Sequence, residues 1–236
     1  MGHTIHRYES LASTNATLRE LLTEGRATHG EVVVAGRQTA GRGRRGRSWE
    51  AEAGSGLLVS VLLTPVEARV TYCLTSLAVR DAVSSMADGR ASLKWPNDVL
   101  IGNRKVAGIL VDLVTEGAIV GIGINTNMNR TELDRIGPEA TSVAVETGRA
   151  FDHAQLLGRL IELLEEQYSR SRKSPDSVFR EWRSALVTLG HSVEVETARE
   201  RWVGQAVDVD EDGSLLVRHD ERIERVYAAD VRLTTV

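Results

Sequence analysis

Residues 92–124 read SLKWPNDVLIGNRKVAGILVDLVTEGAIVGIGI, and the apolar runs in this stretch decide the fold class. Four runs lie in it, at residues 92–94, 99–101, 106–114 and 119–124, and turn residues such as the Gly102-Asn103 pair separate them. Short apolar runs bounded by turn residues are typical of neighbouring strands. We therefore predict four strands of a mixed sheet.

Helical patterns and two more strands surround this stretch. Ser13, Thr14 or Asn15 is expected to cap a helix that Gly25 ends, while Asp152 and Pro175 are start signals for two later helices. The predicted helices cover residues 13–25, 70–86, 152–168 and 176–186, and the predicted strands cover residues 32–35 and 57–63. Together these elements predict an α/β (α+β) domain with a mixed sheet flanked by helices.

The pattern changes after Gly190. Apolar residues then alternate in short runs, and Asp212-Gly213 is typical of a hairpin turn. About 45 residues of such short strands predict a small β-barrel packed closely on the main domain. We place the boundary between a catalytic domain, residues 1–188, and a C-terminal domain, residues 189–236.

Composition excludes several classes of protein. The net charge of −4 over 236 residues argues against a general nucleic-acid binder, which needs a basic excess to displace counterions. The single Cys73 cannot form an intramolecular disulfide, and the N-terminus lacks the apolar core of a signal peptide. The longest apolar run, at residues 57–63, is too short to span a bilayer. We expect a cytoplasmic protein without a membrane role.

One loop departs from this mildly acidic average. Residues 38–49 read QTAGRGRRGRSW, and residues 37–47 contain five arginines, three glycines and no acidic residue. Glycines let the backbone approach a ligand, and arginines donate forked hydrogen bonds to carboxylates or phosphates. A nucleic-acid-binding segment and a solvated loop are the alternatives, but the flanking strands favour a cover over an active site.

Two stretches combine a lysine with groups that suit nucleotides. Lys94, Asn97 and Asp98 bring a cation, an amide and a carboxylate together, as phosphates and Mg²⁺ require, although proline and Asn-Asp also make ordinary turns. Lys105 precedes an apolar strand in which Gly108 lets another group approach. An ammonium there can hold a substrate carboxylate against a phosphate, or it can simply reach solvent from the strand. The chain has only three lysines among 29 basic residues, which favours a specific role.

A last stretch, GIGIN at residues 121–125, places two glycines on one strand face. Gly121 and Gly123 leave room for a flat ligand, and Asn125 offers a donor and an acceptor to a base. The chain lacks the dinucleotide-binding fingerprint, the P-loop and the serine nucleophile elbow. Its six histidines, His3 included, lack metal-ligand spacing, so we expect no zinc site.

Taken in order, these stretches resemble the catalytic domain of biotin protein ligases. They are Ser13-Thr14-Asn15, Gln38 with GRGRRGR at 41–47, KWPND at 94–98, KVAGIL at 105–110 and GIGIN at 121–125. The resemblance implies a fold like that of class II aminoacyl-tRNA synthetases, followed by a small SH3-like C-terminal barrel. It covers nearly the whole chain.

The resemblance also implies roles for individual residues. Lys105 would lie between the biotin carboxylate and the α-phosphate, and Lys105, Arg44, Arg42 and Lys94 would be the catalytic residues. Biotin would be bound by Ser13, Thr14, Asn15, Gln38, Gly41, Arg42, Gly43, Arg44, Lys105 and Gly108. ATP and the adenylate would be bound by Arg47, Trp49, Lys94, Asn97 and Asn125, with Trp49 and Asn125 at the adenine. Asp98 is the expected Mg²⁺ contact.

The reaction implied is the formation of biotinyl-5′-AMP from biotin and ATP, with Mg²⁺, and transfer of biotin to a lysine of a biotin carboxyl carrier domain. No tightly bound prosthetic group is expected, and a homodimer is a further expectation. Ser13 lies close to the start of the chain, so we expect a monofunctional ligase that does not bind DNA. The alternatives are a lipoate or octanoate ligase or transferase, and a non-catalytic nucleic-acid-binding module.

Overall fold

The computed structural model describes residues 4–115, 117–197, 200–227 and 229–234. The strands of the main sheet are β1 (Ile5–Tyr8), β2 (Val32–Ala35), β3 (Gly56–Leu63), β4 (Ala91–Lys94), β5 (Asp98–Ile101), β6 (Arg104–Val114) and β7 (Gly117–Asn125). The helices are α1 (Thr14–Thr23), α2 (Ala68–Met86), α3 (Arg130–Ile136), α4 (Val143–Thr147), α5 (His153–Lys173) and α6 (Pro175–Ser184). A second sheet contains β8 (Ser192–Glu196), β9 (Arg201–Val209), β10 (Leu215–His219), β11 (Arg222–Val226) and β12 (Asp230–Leu233).

The main sheet has the strand order β1-β2-β3-β7-β6-β5-β4. Strand β1 runs parallel to β2, and the other neighbours are antiparallel, so the sheet is mixed as predicted. The four strands predicted in residues 92–124 are β4 to β7, each within two residues of its expected bounds. Their turns are short because each strand pairs directly with the next one.

Helices cover the two faces of this sheet unequally. On one face, Leu18 and Leu21 of α1 form a small core with Val33, Leu62 and Ile119. On the other face, α2, α5 and α6 build the large core against the apolar residues of β3 and β7. Because side chains alternate along a strand, Gly121 and Gly123 lie on the same face as Ile119. A cavity lies on that face beside the start of α1.

The C-terminal sheet is antiparallel, in the order β11-β10-β9-β8-β12. Its apolar residues continue the large core, which confirms that it packs closely on the main domain. The Trp95 indole nitrogen donates to the Gly213 carbonyl at 2.9 Å, and Arg183 pairs with Asp208 across the same contact. The boundary between residues 188 and 189 stays a prediction.

The helices differ in which groups accept hydrogen bonds from the free amides of their first turns. Asp152 caps α5 as predicted, since its side chain accepts a hydrogen bond of 2.7 Å from the Ala154 amide. Ser13 is the N-cap residue of α1, but its side chain makes no cap hydrogen bond. The prediction that a side chain of Ser13, Thr14 or Asn15 caps α1 was therefore wrong, because the Thr14 amide donates to Gln38 instead. No helix in the described ranges is long and apolar enough to cross a membrane.

Candidate functional site

A cavity of about 590 Å³ opens on the face of the sheet that α1 leaves uncovered. Its walls come from the start of α1, strands β6 and β7, the arginine loop of residues 37–49, the 135–140 segment and β12. The predicted residues that line it are Ser13, Thr14, Asn15, Gln38, Arg42, Gly43, Arg44, Arg47, Trp49, Lys94, Asn97, Asp98, Lys105, Gly108 and Asn125. The fold therefore collects residues from five distant stretches in one place.

Gln38 closes the end of the cavity beside α1. Its Oε1 accepts hydrogen bonds from the Thr14 amide at 2.7 Å and from the Thr14 hydroxyl at 3.0 Å. One of the unpaired amides at the start of α1 is thus satisfied by a side chain 24 residues away. Because Oε1 is occupied by donors, the remaining polar group of Gln38 is its NH₂ group, which can only donate.

Asn15 extends the same polar end. Its Oδ1 accepts a hydrogen bond of 2.6 Å from the Ser60 hydroxyl, and its Nδ2 donates to Asp112 at 3.2 Å. The Asn15 amide also lies against the backbone of β7, because a Cβ on Gly121 would be 2.3 Å from Asn15 Oδ1. Gly121 is needed here for the close approach of Asn15, rather than for a ligand.

The arginine loop forms a compact turn of its own. The Gly43 amide donates to the Arg47 carbonyl at 2.7 Å, and the Trp49 amide donates to the Gly41 carbonyl at 2.9 Å. Arg45, in the one turn of 3-10 helix at Arg44–Gly46, has a φ of 55°. Gly41 is buried and does not line the cavity; a Cβ there would be 2.3 Å from the Trp49 carbonyl oxygen. Of all the predicted site residues, Gly41 is therefore the one that does not lie in the cavity wall.

Trp49 lies flat on the sheet. A Cβ on Gly123 would be 2.3 Å from the indole ring, and one on Gly108 would be 2.8 Å from it. These two glycines are paired across β6 and β7, so together they make a platform for one aromatic ring. The prediction that a glycine pair leaves room for a flat ligand was wrong for Gly123, because the protein's own indole fills that room. The Trp49 Nε1 is buried and has no hydrogen-bond partner in the described residues.

Lys105 is a cation of the cavity wall that pairs with a carboxylate. Its Nζ lies 2.6 Å from Asp98 Oδ1, close enough for an ion pair although the angles fall outside hydrogen-bond geometry. The same ammonium lies 5.5 Å from the centre of the Trp49 ring. The backbone of Lys105 is fixed as well, since its amide donates to the Glu139 carbonyl at 2.6 Å and its carbonyl accepts from Thr141 at 2.8 Å.

Further cations surround Lys105. Lys94 lines the cavity, and its side chain has no hydrogen bond or ion pair with the part of the chain described here. Arg44 donates to Asn97 Oδ1 at 3.1 Å, and Asn97 in turn donates to the Ile109 carbonyl at 2.9 Å. Burial lowers the pKa of the Arg44 guanidinium, and the neighbouring Tyr72 and Asp98 oppose that shift. A partly desolvated cation of this kind is stabilised by an anionic ligand.

Asp230 was not predicted from the sequence. It lines the cavity from β12, and its carboxylate pairs with Arg47 and, at 3.1 Å, with Arg45. Arg45 also donates to the Glu196 carbonyl at 2.9 Å. The C-terminal sheet thus holds the arginine loop over the cavity. The one sequence signal for such a residue is that residues 37–47 contain five arginines and no acid, which predicts a counterion from elsewhere in the chain.

Asn125 is buried at the far wall of the cavity, and its Nδ2 donates to the Thr141 carbonyl at 3.0 Å. Its Oδ1 remains available as an acceptor on the cavity side. Within the described ranges no three His, Cys, Asp or Glu side chains are grouped as metal ligands. His3 lies outside the described residues.

Comparisons with known proteins agree on one family. A model of the Biotin/lipoate A/B protein ligase family matches residues 8–129, and a model of the Biotin protein ligase C terminal domain matches residues 188–233. The first match covers more than half of the chain and contains every predicted site residue.

Individual relatives match over nearly the whole length. The biotin acetyl-CoA-carboxylase ligase of Mycobacterium tuberculosis is 35% identical over 93% of this chain and 85% of that protein. The bifunctional ligase/repressor BirA of Bacillus subtilis is 32% identical over 99% of this chain and 75% of that protein. The structure of an Aquifex aeolicus biotin protein ligase with biotin and ATP superposes with a TM-score of 0.83 at 29% identity, covering 98% of this chain and 99% of the other.

Proposed function

The chain belongs to the biotin/lipoate A/B protein ligase family, and on that premise we propose that its cavity is where biotin and ATP react. The enzyme is a biotin protein ligase that works in two steps. In the first, an oxygen of the biotin carboxylate attacks the α-phosphorus of ATP, and pyrophosphate leaves. In the second, the amine of an acceptor lysine attacks the carbonyl carbon of biotinyl-5′-AMP, which releases AMP.

The observation that carries the placement of this reaction is the order of chemical groups along the cavity. The amides of Asn15 and Gln38 lie at the start of α1, Lys105 pairs with Asp98 of β5, and Arg47 pairs with Asp230 of the C-terminal sheet, with Lys94 and Arg44 also in the cavity wall. A bicyclic urea with a carboxylate tail, followed by a phosphate chain, presents acceptors and negative charges in the same order. The match in order supports biotin at one end and ATP at the other.

At the α1 end, the residues proposed to bind the biotin rings are Ser13, Thr14, Asn15 and Gln38. The oxygen atoms of Gln38 and Asn15 are engaged by protein donors, so both amides offer N–H groups to a ligand. The Ser13 hydroxyl is not used as a helix cap and is available as well. This donor-rich end suits the carbonyl oxygen of a urea.

Lys105 is proposed to align the two reacting anions. Its pairing with Asp98 shows that its ammonium is already held where a carboxylate oxygen fits, at 2.6 Å. A biotin carboxylate and an α-phosphate repel each other in water, and a fixed ammonium between them removes that repulsion before the bond forms. Lys94, Arg42 and Arg44 supply the additional positive charge for the departing pyrophosphate.

Mg²⁺ is proposed to enter with the phosphates of ATP. Magnesium is commonly bound through one or two carboxylates together with substrate phosphates, and Asp98 is a carboxylate in the cavity that fits this pattern. The ion would neutralise charge on the phosphate chain. Asp98 would hold the ion, and the ammonium of Lys105 would then be available to the substrate.

The arginine loop is proposed to act as a lid. It crosses the cavity between the sheet and Asp230, and the Trp49 ring attached to it covers Gly108 and Gly123. A closed lid keeps water from the mixed anhydride until the acceptor lysine arrives. The same ring, with Asn125, is the proposed adenine contact once the nucleotide enters.

The remaining assignments stay predictions. The acceptor is proposed to be a carrier domain of a biotin-dependent carboxylase, in keeping with the name of the mycobacterial relative. Homodimer formation and a cytoplasmic location stay predictions. The absence of DNA binding is also a prediction, supported by the net charge of −4, and salt-sensitive binding to a specific operator in a shift assay would contradict it.

The decisive experiment is exchange of labelled pyrophosphate into ATP. Reversible adenylate formation returns the label to ATP only when the correct acid is present. We expect exchange with biotin and no exchange with lipoate or octanoate. Exchange with either of those acids in place of biotin would instead identify a lipoate or octanoate enzyme of the same family.

A further inference from the structure

We propose that Asp112, held in place by Arg19, is a positioning residue that fixes the orientation of the Asn15 amide and so determines how tightly the cavity binds the biotin rings. Neither Asp112 nor Arg19 lines the cavity. Both act through Asn15, which does. The inference rests on the proposed function, since it assigns the α1 end of the cavity to biotin.

Of the contacts of Asn15, the one with Asp112 fixes the orientation of its amide, because the Ser60 hydroxyl can donate or accept. Its Nδ2 donates to Asp112 Oδ2 at 3.2 Å, and its Oδ1 accepts from the Ser60 hydroxyl at 2.6 Å. An ionised carboxylate can only accept hydrogen bonds. If the amide were flipped, its oxygen would face the Asp112 carboxylate and two acceptors would oppose each other, so the observed orientation is strongly favoured.

Packing prevents Asn15 from escaping this constraint by moving away. The residue is 5% exposed, and its Oδ1 lies so close to β7 that a Cβ on Gly121 would be 2.3 Å from it. Asn15 also lies inside α1, whose backbone fixes its Cα. The amide can therefore rotate about its last bond but cannot leave the cavity wall.

Arg19 keeps Asp112 in its role. The Arg19 Nη2 lies 3.2 Å from Asp112 Oδ2, the same oxygen that accepts from Asn15. Asp112 is 30% exposed and Arg19 is 46% exposed, so the pair is partly solvated and its contribution to folding is small. The geometry of the pair matters more than its energy. Arg19 lies four residues after Asn15 on the same face of α1, and its guanidinium orients the Asp112 carboxylate toward Asn15.

The fixed amide of Asn15 directs one N–H donor at the ligand. The Asn15 NH₂ group has two hydrogens, of which Asp112 takes one, and the other is left for a ligand acceptor. Without Asp112, the amide samples both orientations and presents an oxygen to the ligand for part of the time. Affinity for a ring system that accepts hydrogen bonds then falls, while the groups around Lys105 are unchanged.

The test measures the dissociation constant of biotin by calorimetry without ATP, together with kcat and the KM for ATP. We expect Asp112→Ala to weaken biotin binding about tenfold, which corresponds to about 1.4 kcal/mol. The kcat and the KM for ATP should stay within twofold of wild type. Asp112→Asn, which can still accept through its amide oxygen, should recover part of the affinity, and Arg19→Met should lose about threefold.

Arg26→Met is the matched control. It breaks the exposed pair of Arg26 with Glu24, just beyond the end of α1, and should leave biotin binding unchanged. An Asp112→Ala protein that binds biotin within twofold of wild type overturns the inference, as does an equal loss of affinity for ATP. If Asp112→Ala does not fold, Asp112→Asn and Arg19→Met decide by the same criteria. A wild-type protein without biotin-dependent pyrophosphate exchange would instead refute the proposed function.

Discussion

Replacing Lys105 with alanine removes the ammonium that is proposed to align the two reacting anions, and so tests the mechanism most directly. In the structure its Nζ lies 2.6 Å from a carboxylate oxygen, and the side chain is 34% exposed. At an effective dielectric constant of about 20, two unit charges about 3 Å apart interact by roughly 5–6 kcal/mol. Part of that energy is offset because the ammonium loses water when the substrate binds and gives up its pair with Asp98. We expect a net loss of about 3–4 kcal/mol in the transition state, or about 10²–10³-fold in rate.

The assay is biotin-dependent pyrophosphate exchange, followed by direct detection of biotinyl-5′-AMP in a single turnover. Lys105→Ala leaves the Asp98 carboxylate, which is 18% exposed, without its counterion, so some loss of stability is expected as well. The double variant Lys105→Ala/Asp98→Asn tests the effect on stability, because it removes the orphaned charge without restoring the ammonium, and it also removes the proposed Mg²⁺ contact. Its melting temperature should return toward that of wild type while its exchange rate stays low.

Two results would refute this reasoning. Exchange within threefold of wild type in Lys105→Ala would show that the ammonium does not align the reacting anions. Recovery of exchange in the double variant would show that the single variant failed only through a disturbed fold. Lys105→Arg keeps the charge but replaces a compact ammonium with a planar guanidinium, and we expect it to remain at least tenfold below wild type, on the order of one lost contact.

Four further predictions follow from other contacts. Asp230→Ala frees two loop arginines, so bound adenylate should escape a few-fold faster in a trapping assay, in line with about 0.2–1 kcal/mol for each partly exposed pair. Gly123→Ala places a Cβ against Trp49 and should lower the free energy of unfolding in denaturant by about 1–3 kcal/mol and weaken ATP binding in calorimetry. Burial lowers the pKa of His153 in the folded protein. Between that lowered pKa and about 6.5, the unfolded state therefore binds more protons than the folded state. The melting temperature should fall as pH drops below about 6.5, and this fall should be absent in His153→Asn. Burial raises the pKa of Cys73 to about 12, so alkylation at pH 8 should require unfolding, and rapid labelling of the native protein would contradict this.

Much of the fold followed from local patterns. The bounds of β2 were predicted to the residue, and those of β3 to β7 within two residues, because each is a short apolar run bounded by turn residues. Strand β1 and the short helices α3 and α4 were not predicted. Strand β1 reads IHRY and is only partly buried, so it lacks an apolar run, while α3 and α4, with seven and five residues, are too short to show a helical period.

The sequence predicted most of the residues that line the cavity, but not the contacts among them. Fifteen of the predicted residues line it, since short motifs carry them and the strands bring the motifs together. The Trp49 ring rests on Gly108 and Gly123, a contact that the sequence did not predict, while its contact with adenine stays a prediction. The glycines signalled a close approach correctly, but a missing side chain does not specify which group takes its place.

The sequence by itself determined the order of strands and helices, the motifs and the family they resemble, because each of these depends on neighbours within a few residues. The tertiary structure alone decided which charges meet. Asp112 reaches Asn15 across 97 residues, and Asp230 reaches Arg47 across 183. Such pairs leave no period in the chain, since a hydrogen bond depends on distance and angle in space and not on separation along the backbone. The orientation of the Asn15 amide and the contact of the arginine loop with the C-terminal sheet are therefore properties of the folded molecule.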